Sequence, residues 1–373
     1  MEIKLIKYCL YAFALVLVTT DCKKENAFLP GLVRGYTVSD SRQSPGYALQ
    51  VIKGDSIVLE QYEGIDGLAS REPISKNSLF NIGSVSKTFV AYAILHLAHE
   101  GRIHLNDSLL KYFPEFKNPE IGKKIRLCHL LTHTSGFPDN RPVQRDSLNY
   151  LTADDEQNWA PLLQNDSLHF EPGTRYEYSN PAFNALALII QQVTGIKWQD
   201  YIKLKIFTPA GMSGSTITDG IHPDEGVCHA YLPLPDGQWK EQDYGEEPTF
   251  NASGNGGVWS SVHELALYEK AIRFRSFFEP EALHLAREVY PMPDWQDSIP
   301  SQLGLSWFIG TFAGHPMYSH TGSQGGFTAD YVSIPEEDFF YTILSNTPVD
   351  INETRAYVLH LALERGWLHP KIE

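Results

Sequence analysis

Residues 81–100 read NIGSVSKTFVAYAILHLAHE, and the serine and lysine near their start decide how the rest of the chain is read. From Val85 to Glu100 apolar residues recur at helical spacing, and Gly101 supplies a natural stop. Ser84 stands where that helix begins, beside unpaired backbone N–H groups and the positive end of the helix dipole. Lys87 follows three residues later, on the same face and one turn on. Partial burial and the dipole both favour a neutral amine there, and a neutral amine can accept a serine proton. Taken alone, the pair also describes an N-cap serine and a solvated lysine.

Outward from this helix, the flanking segments predict a sheet made from both chain ends. Tyr47–Ile52 (YALQVI) and Ser56–Tyr62 (SIVLEQY) are strand-like runs joined by Lys53-Gly54-Asp55, a hairpin signal. Asp330–Ile334 and Phe339–Ser345 form a second such pair, joined by Pro335-Glu336-Glu337-Asp338. Between the pairs the patterns are helical. Ala182–Thr194 ends at Gly195, and residues 261–275 begin with Ser261 as N-cap and Glu264 at capping-box spacing. Asn352–Arg365 is an amphipathic helix suited to cover one sheet face. The predicted fold class is α+β: an antiparallel sheet from both ends flanked by helices, with a mostly helical insertion over roughly residues 105–300. Residues 138–170 and 217–250 are the loops expected to shape specificity.

The 373 residues carry 30 Lys+Arg against 45 Asp+Glu, a net charge of −15 that argues against nucleic acid as a partner. Hydrophobic residues at 42% and charged residues at 20% describe a chain able to bury a core. The four cysteines, Cys9, Cys22, Cys128 and Cys228, are too scattered for a disulfide framework or a zinc ribbon. Lys4 and Lys7 precede the apolar run Tyr8–Val18, which is too short to span a hydrocarbon core of ~30 Å. This reads as a signal over residues 1–21 with Cys22 as the lipidated first mature residue, a linker over 22–40, and one folded domain over 41–373. Plain secretion and an uncleaved anchor are the alternatives; a lipid anchor would be the chain's one attachment to a membrane.

Further residues invite bland readings. His129 and His133 are four apart, but no Glu follows His129, so neither a metal nor any cofactor is expected. His96 and His99 sit in the last turn of the Ser84 helix, where the dipole accounts for them. Cys128 and Cys228 read as buried thiols.

Two other segments bear on Ser84 and Lys87. In Tyr178-Ser179-Asn180, an extended backbone would send the phenol and the amide into one cleft. In His320-Thr321-Gly322-Ser323-Gln324-Gly325-Gly326, the glycines let another backbone or a ligand come close. In this order, the three motifs resemble the serine β-lactamases and penicillin-recognising DD-peptidases, specifically the class C-like branch that includes esterases and D-amino-acid peptidases. The resemblance runs from about Tyr47 to Ser345. It extends to Leu130–Gly136 (LLTHTSG), Glu171-Pro172-Gly173, Pro209–Met212 (PAGM) and Gly256–Ser260 (GGVWS).

The resemblance implies that Ser84 is the acylated nucleophile, that Lys87 and Tyr178 share the acid/base work, and that Asn180 binds the substrate amide. It implies an oxyanion hole from the backbone N–H groups of Ser84 and Ser323, with His320, Thr321 and Gly322 along the substrate. His320 stands where most β-lactamases carry lysine, which shifts the expectation toward an ester or D-amino-acid peptide substrate, small or peptidic and of cell-wall origin. If a partly charged His320 recognises a carboxylate, kcat/KM for anionic substrates should fall as pH rises through ~6 to 7. The rival reading is a penicillin-sensing or scaffold protein of the same fold with little turnover.

Overall fold

Gly54, at φ 62°, closes the first hairpin between β1 (Tyr47–Lys53) and β2 (Ser56–Glu63), in the left-handed region where glycine carries no Cβ penalty. The chain is described by a computed structural model over residues 43–138, 154–218, 223, 226–241, 253–274, 280–291 and 302–371. The expected signal, linker and Cys22 lie outside the described residues, as do parts of both expected specificity loops. After the hairpin come β3 (Phe80–Asn81), α1 (Ser86–His99), α2 (Asp155–Leu163), α3 (Asn180–Thr194) and α4 (Trp198–Ile202). Then follow β4 (Thr216–Ile217), β5 (Tyr231–Pro233), β6 (Trp239–Glu241), β7 (Val258–Ser260) and α5 (Val262–Arg273). The chain returns through β8 (Gln302–Leu303), β9 (Phe308–Phe312), β10 (His315–Gln324), β11 (Phe327–Ile334) and β12 (Phe339–Ser345) to α6 (Ile351–Glu364).

Both chain ends do build one sheet. Its order is β2-β1-β12-β11-β10-β9-β8, and each neighbouring pair in it is antiparallel, with Tyr47 opposite Ser345 where first and last strands meet. Strands β11 and β12 are buried at every position, and their buried polar members Asp330, Ser333 and Thr342 are hydrogen-bonded inside the protein. The period-two alternation sorts β1 between two layers. Tyr47, Leu49 and Val51 pack with Val358, Leu359 and Ala362 of α6, while Ala48 joins the larger helical core. Helix α6 thus covers one face, as its amphipathic pattern predicts. On the other face α5 packs against β12 and β1, although it falls within the sequence bounds of the expected helical insertion.

The capping box expected at α5 is half formed. Ser261 Oγ accepts from Glu264 N at 3.2 Å, but the Glu264 carboxylate turns outward from the box and accepts from the backbone N–H groups of Gly214 (3.2 Å) and Ser215 (3.1 Å). The cap residue's reach is overridden by two orphan donors in a neighbouring loop.

Buried charges pin the layers together. Asp330, fully buried on β11, accepts from Arg355 of α6 at 3.1 Å (Nε) and 2.5 Å (the terminal nitrogen) and from the Tyr341 hydroxyl. Glu269 of α5 accepts from Arg287 at 3.0 Å, from Ser333 Oγ at 2.5 Å and from the Tyr331 hydroxyl. Glu269→Leu leaves Arg287 charged and almost wholly inside, so it should lower the unfolding free energy by about 3–5 kcal/mol in urea titrations. The double variant Glu269→Leu/Arg287→Met should recover much of that; equal losses in both would refute the role of the ion pair.

Candidate active site

Helix α1 is buried on nearly all sides, from Ser86 to Leu97, so the polar side chains at its start project into the protein and must be satisfied there. A 3₁₀ turn over Gly83–Val85 leads directly into it, and Val85 occupies the N-cap with no side-chain cap. Ser84 therefore does not cap the helix, and the bland reading of this pair fails on geometry. Gly83 is held at φ 50° with its N–H on Asn81 Oδ1 at 2.8 Å. A Cβ on Gly83 would lie 2.7 Å from the backbone nitrogen of Ser323. Ser86 Oγ accepts from Val258 N at 3.0 Å, tying β7 to the same turn.

Lys87, with no exposed surface, reaches three oxygens. Its Nζ lies 3.0 Å from Ser84 Oγ, 2.9 Å from Asn180 Oδ1 and 2.5 Å from the carbonyl oxygen of Asn255. The last two oxygens only accept, so they engage two N–H bonds. The third direction of the tetrahedral nitrogen points at Ser84, where a neutral amine places its lone pair. Ser84 itself is only partly buried, as an attacking oxygen open to a cleft must be.

The second motif converges on the same amine. Ser179 is extended, but Asn180 is already the first residue of α3, so the two-residue extended geometry expected from sequence is replaced by a strand-to-helix step. The outcome still brings both side chains together. Asn180 Oδ1 binds Lys87, and Lys87 Nζ stands 5.1 Å from the Tyr178 ring centroid. The Tyr178 ring stacks on His133 at 4.1 Å between centroids with 24° between planes. His133, at φ 55°, accepts the Ser179 N–H on Nδ1 at 3.1 Å, and His129 Nδ1 accepts the Arg126 N–H at 3.2 Å. The two histidines that sequence spacing raised as a metal pair are thus engaged with backbone groups.

The third motif lies on β10, where His320, Thr321, Gly322 and Ser323 pair with Tyr331, Asp330, Ala329 and Thr328 of β11. The opposite edge of β10 pairs with β9 only as far as Ser319. Thr321 and Ser323 are exposed on one side while His320 and Gly322 face inward. A Cβ on Gly322 would come within 2.0 Å of the Ile82 carbonyl oxygen, so glycine is required for β10 to approach the Ser84 turn.

His320 corrects the expectation of a partly charged carboxylate clamp. It is 1% exposed, and burial, aided by Lys87, pushes its pKa down to about 3. Its Nδ1 lies 2.7 Å from the Thr321 carbonyl, which can only accept, so Nδ1 carries the proton and Nε2 is a neutral acceptor. The expected dipole role of His96 is corrected likewise: burial lowers its pKa, and its Nδ1 bonds the Tyr201 hydroxyl at 2.9 Å. Cys128 and Cys228 are buried and free, and burial raises both thiols.

Sequence reading passed over Asn255, whose contribution is a backbone carbonyl, and gave His133, within the LLTHTSG stretch, no role at the site. A polar residue inside the apolar run of α3, Asn184, was the signal available: it is fully buried and bonded to Asn255 Nδ2 at 3.1 Å. Among the described residues no group of three or more His, Cys, Asp or Glu is placed to hold a metal ion, and no helix is long and apolar enough to cross a membrane.

A seven-stranded antiparallel sheet with a buried lysine facing a helix-start serine and a Tyr-Ser-Asn corner defines a class of serine acyl-transfer folds. The comparisons agree: residues 32–364 match the family described as Beta-lactamase, and the chain belongs to it. Penicillin-binding protein 4* of Bacillus subtilis (strain 168) is 33% identical over 202 residues, covering 52% of this chain and 42% of that protein. The chain thus spans less than half the length of that relative in the match. The octameric penicillin-binding protein homologue from Pyrococcus abyssi superimposes with a TM-score of 0.74 at 26% identity, covering 87% of this chain and 74% of that one. A D-stereospecific amidohydrolase from Streptomyces sp. shares the fold with a TM-score of 0.70 at 20% identity, over 86% of this chain and 94% of that one.

The buried histidines give the site a pH signature. His320 (about 3), His129 (about 4) and His133 (well below the ordinary value) are neutral when folded because burial disfavours the imidazolium. Each takes up a proton on unfolding below ~6.5, so each removes about 1.4 kcal/mol of stability per pH unit as pH falls from there. Asp155, raised by burial to about 7, acts in the opposite sense by releasing one proton on unfolding. The net uptake is therefore about two protons, and urea midpoints should fall between about pH 6.5 and 5. His320→Asn should reduce that slope by about one proton; an unchanged slope would show that His320 is charged in the folded protein.

Proposed function

We propose that the protein is a serine hydrolase acting through an acyl-enzyme at Ser84, on an ester, amide or D-amino-acid peptide bond. The observation that carries this is Lys87 Nζ, 3.0 Å from Ser84 Oγ, with its other directions fixed by Asn180 and Asn255. Ser84 Oγ attacks the substrate carbonyl carbon while its proton passes to Lys87. The tetrahedral oxyanion is received by the backbone N–H groups of Ser84 and Ser323, which the close approach of Gly83 to Ser323 makes neighbours. Lys87 and Tyr178 return the proton to the leaving group, and water then cleaves the acyl-enzyme by the same relay in reverse.

The edge of β10 from His320 to Gln324, past the end of its pairing with β9, suits a peptide-like substrate laid alongside as an extra strand. Asn180 and the backbone of Thr321 and Gly322 would bind the substrate there, and His320, buried and neutral, places no cation on that edge. The net charge of −15 disfavours polyanions by long-range repulsion. A signal ending at Asp21, with Cys22 lipidated, would put the enzyme in the cell envelope beside cell-wall peptides.

A fluorophosphonate probe and a labelled penicillin should each label the wild type and leave Ser84→Ala unlabelled on denaturing gels. Lys87→Ala should label more slowly by on the order of 10³-fold. Absence of Ser84-dependent labelling would sink the assignment. Labelling without turnover of p-nitrophenyl esters, D-amino-acid amides or nitrocefin would favour the penicillin-sensing reading instead.

A further inference from the structure

Asp155 is the first residue of α2, 5% exposed, and nothing in the proposed chemistry calls for it. Its surroundings are unusual for a buried acid. Oδ1 accepts from Asn184 Nδ2 at 2.5 Å and from the backbone N–H of Gly254 at 2.9 Å, and Oδ2 accepts from Trp198 Nε1 at 3.0 Å. Burial raises its pKa to about 7 and, among the described residues, no Lys or Arg pairs with it, so above that pH three neutral N–H donors are what hold the charge. Those donors come from α3, from α4 and from the 3₁₀ turn Ser253–Asn255.

That turn is the one whose last carbonyl meets the amine. Asn255 O accepts from Lys87 at 2.5 Å, and Asn255 Nδ2 donates to Asn184 Oδ1 at 3.1 Å. Asn184 thereby bridges Asp155 to Asn255, while Gly254 joins them through the adjoining peptide. A Cβ on Gly254 would stand 2.8 Å from Ala187 Cβ and 3.0 Å from Asp155 Oδ1, so the turn is pressed onto α3 as closely as a backbone can be.

We propose that Asp155 is a positioning residue for Lys87: through the Gly254 N–H it clamps the Ser253–Asn255 turn so that the Asn255 carbonyl takes one N–H of the amine and leaves another of its directions on Ser84. This rests on the reading above that Lys87 serves Ser84. An acid is needed because every neighbour is a donor. A carboxylate accepts from all three, whereas the isosteric Asn turns an NH₂ group toward at least one of them. Relaxing the turn lets the amine follow its strongest acceptor away from Ser84. The network touches no substrate, so its loss should act on the chemical step and not on binding.

The test uses the full chain and the saturable reaction of Ser84 with a fluorophosphonate, measured as a maximal labelling rate and a half-saturating probe concentration. Asp155→Asn should lower the maximal rate by on the order of 100-fold with the half-saturating concentration unchanged. Gly254→Ala, which displaces the same turn from the other side and leaves the carboxylate in place, should do the same. Circular dichroism and thermal unfolding establish that each variant is folded at the assay temperature. Either folded variant labelling at the wild-type rate would overturn the proposal, as would a loss confined to the half-saturating concentration. Lys87→Ala, run alongside, separates the two readings: if it too labels at the wild-type rate, the role of Lys87 has failed and not the clamp.

Discussion

An amine with no exposed surface must find acceptors for its N–H groups inside the protein, because leaving a polar group unpaired there costs about 1–3 kcal/mol, and more for a charge. At Lys87 the polar partners come from three segments: Ser84 one turn before it, Asn180 at the start of α3, and the carbonyl of Asn255, the last two accepting its N–H groups. The packing of α3 on α1 and of the 253–255 turn on α3 can be read as the arrangement that makes this burial tolerable. The same set of contacts aims the amine. A solvated lysine samples many rotamers, whereas this one is confined to a geometry that faces the serine hydroxyl.

The sheet supplies the other half of the cleft. Strand β10 approaches the Ser84 turn so closely that neither Gly83 nor Gly322 could carry a Cβ. Strand β10 is held by β11, β11 by β12, and β12 by the first strand of the chain. Behind them, α6 is fixed through Arg355 on the buried carboxylate of Asp330, directly opposite Thr321. Sheet rigidity reaches the site by this route, through paired strands and one buried ion pair.

The strands and helices were legible because their signals are local. Gly54 at the hairpin, Gly195 at φ 78° after α3 and the apolar alternation of β1 each constrain the backbone within a few residues. The site was legible where chemistry and local geometry coincide, as in the one-turn spacing of Ser84 and Lys87. It was misread where the environment decides the chemical state. His320 looked like a titrating cation because an imidazole in water is one; under the sheet, next to Lys87, it is neutral. Glu264 looked like half of a capping box, but two backbone donors of a distant loop took its carboxylate.

Sequence by itself determined the order of the elements, the sheet drawn from both chain ends, and the serine and lysine at the head of α1. It did so because hydrophobic period, turn residues and helical spacing act over short stretches of chain. Only the tertiary structure decided which groups meet at Lys87, since a backbone carbonyl such as that of Asn255 has no signature in the residue alphabet. It also decided that Asp155 and Asn184, 29 residues apart, share a buried hydrogen bond. Burial, which depends on every layer at once, then fixed which of these groups are charged, and that cannot be read along the chain.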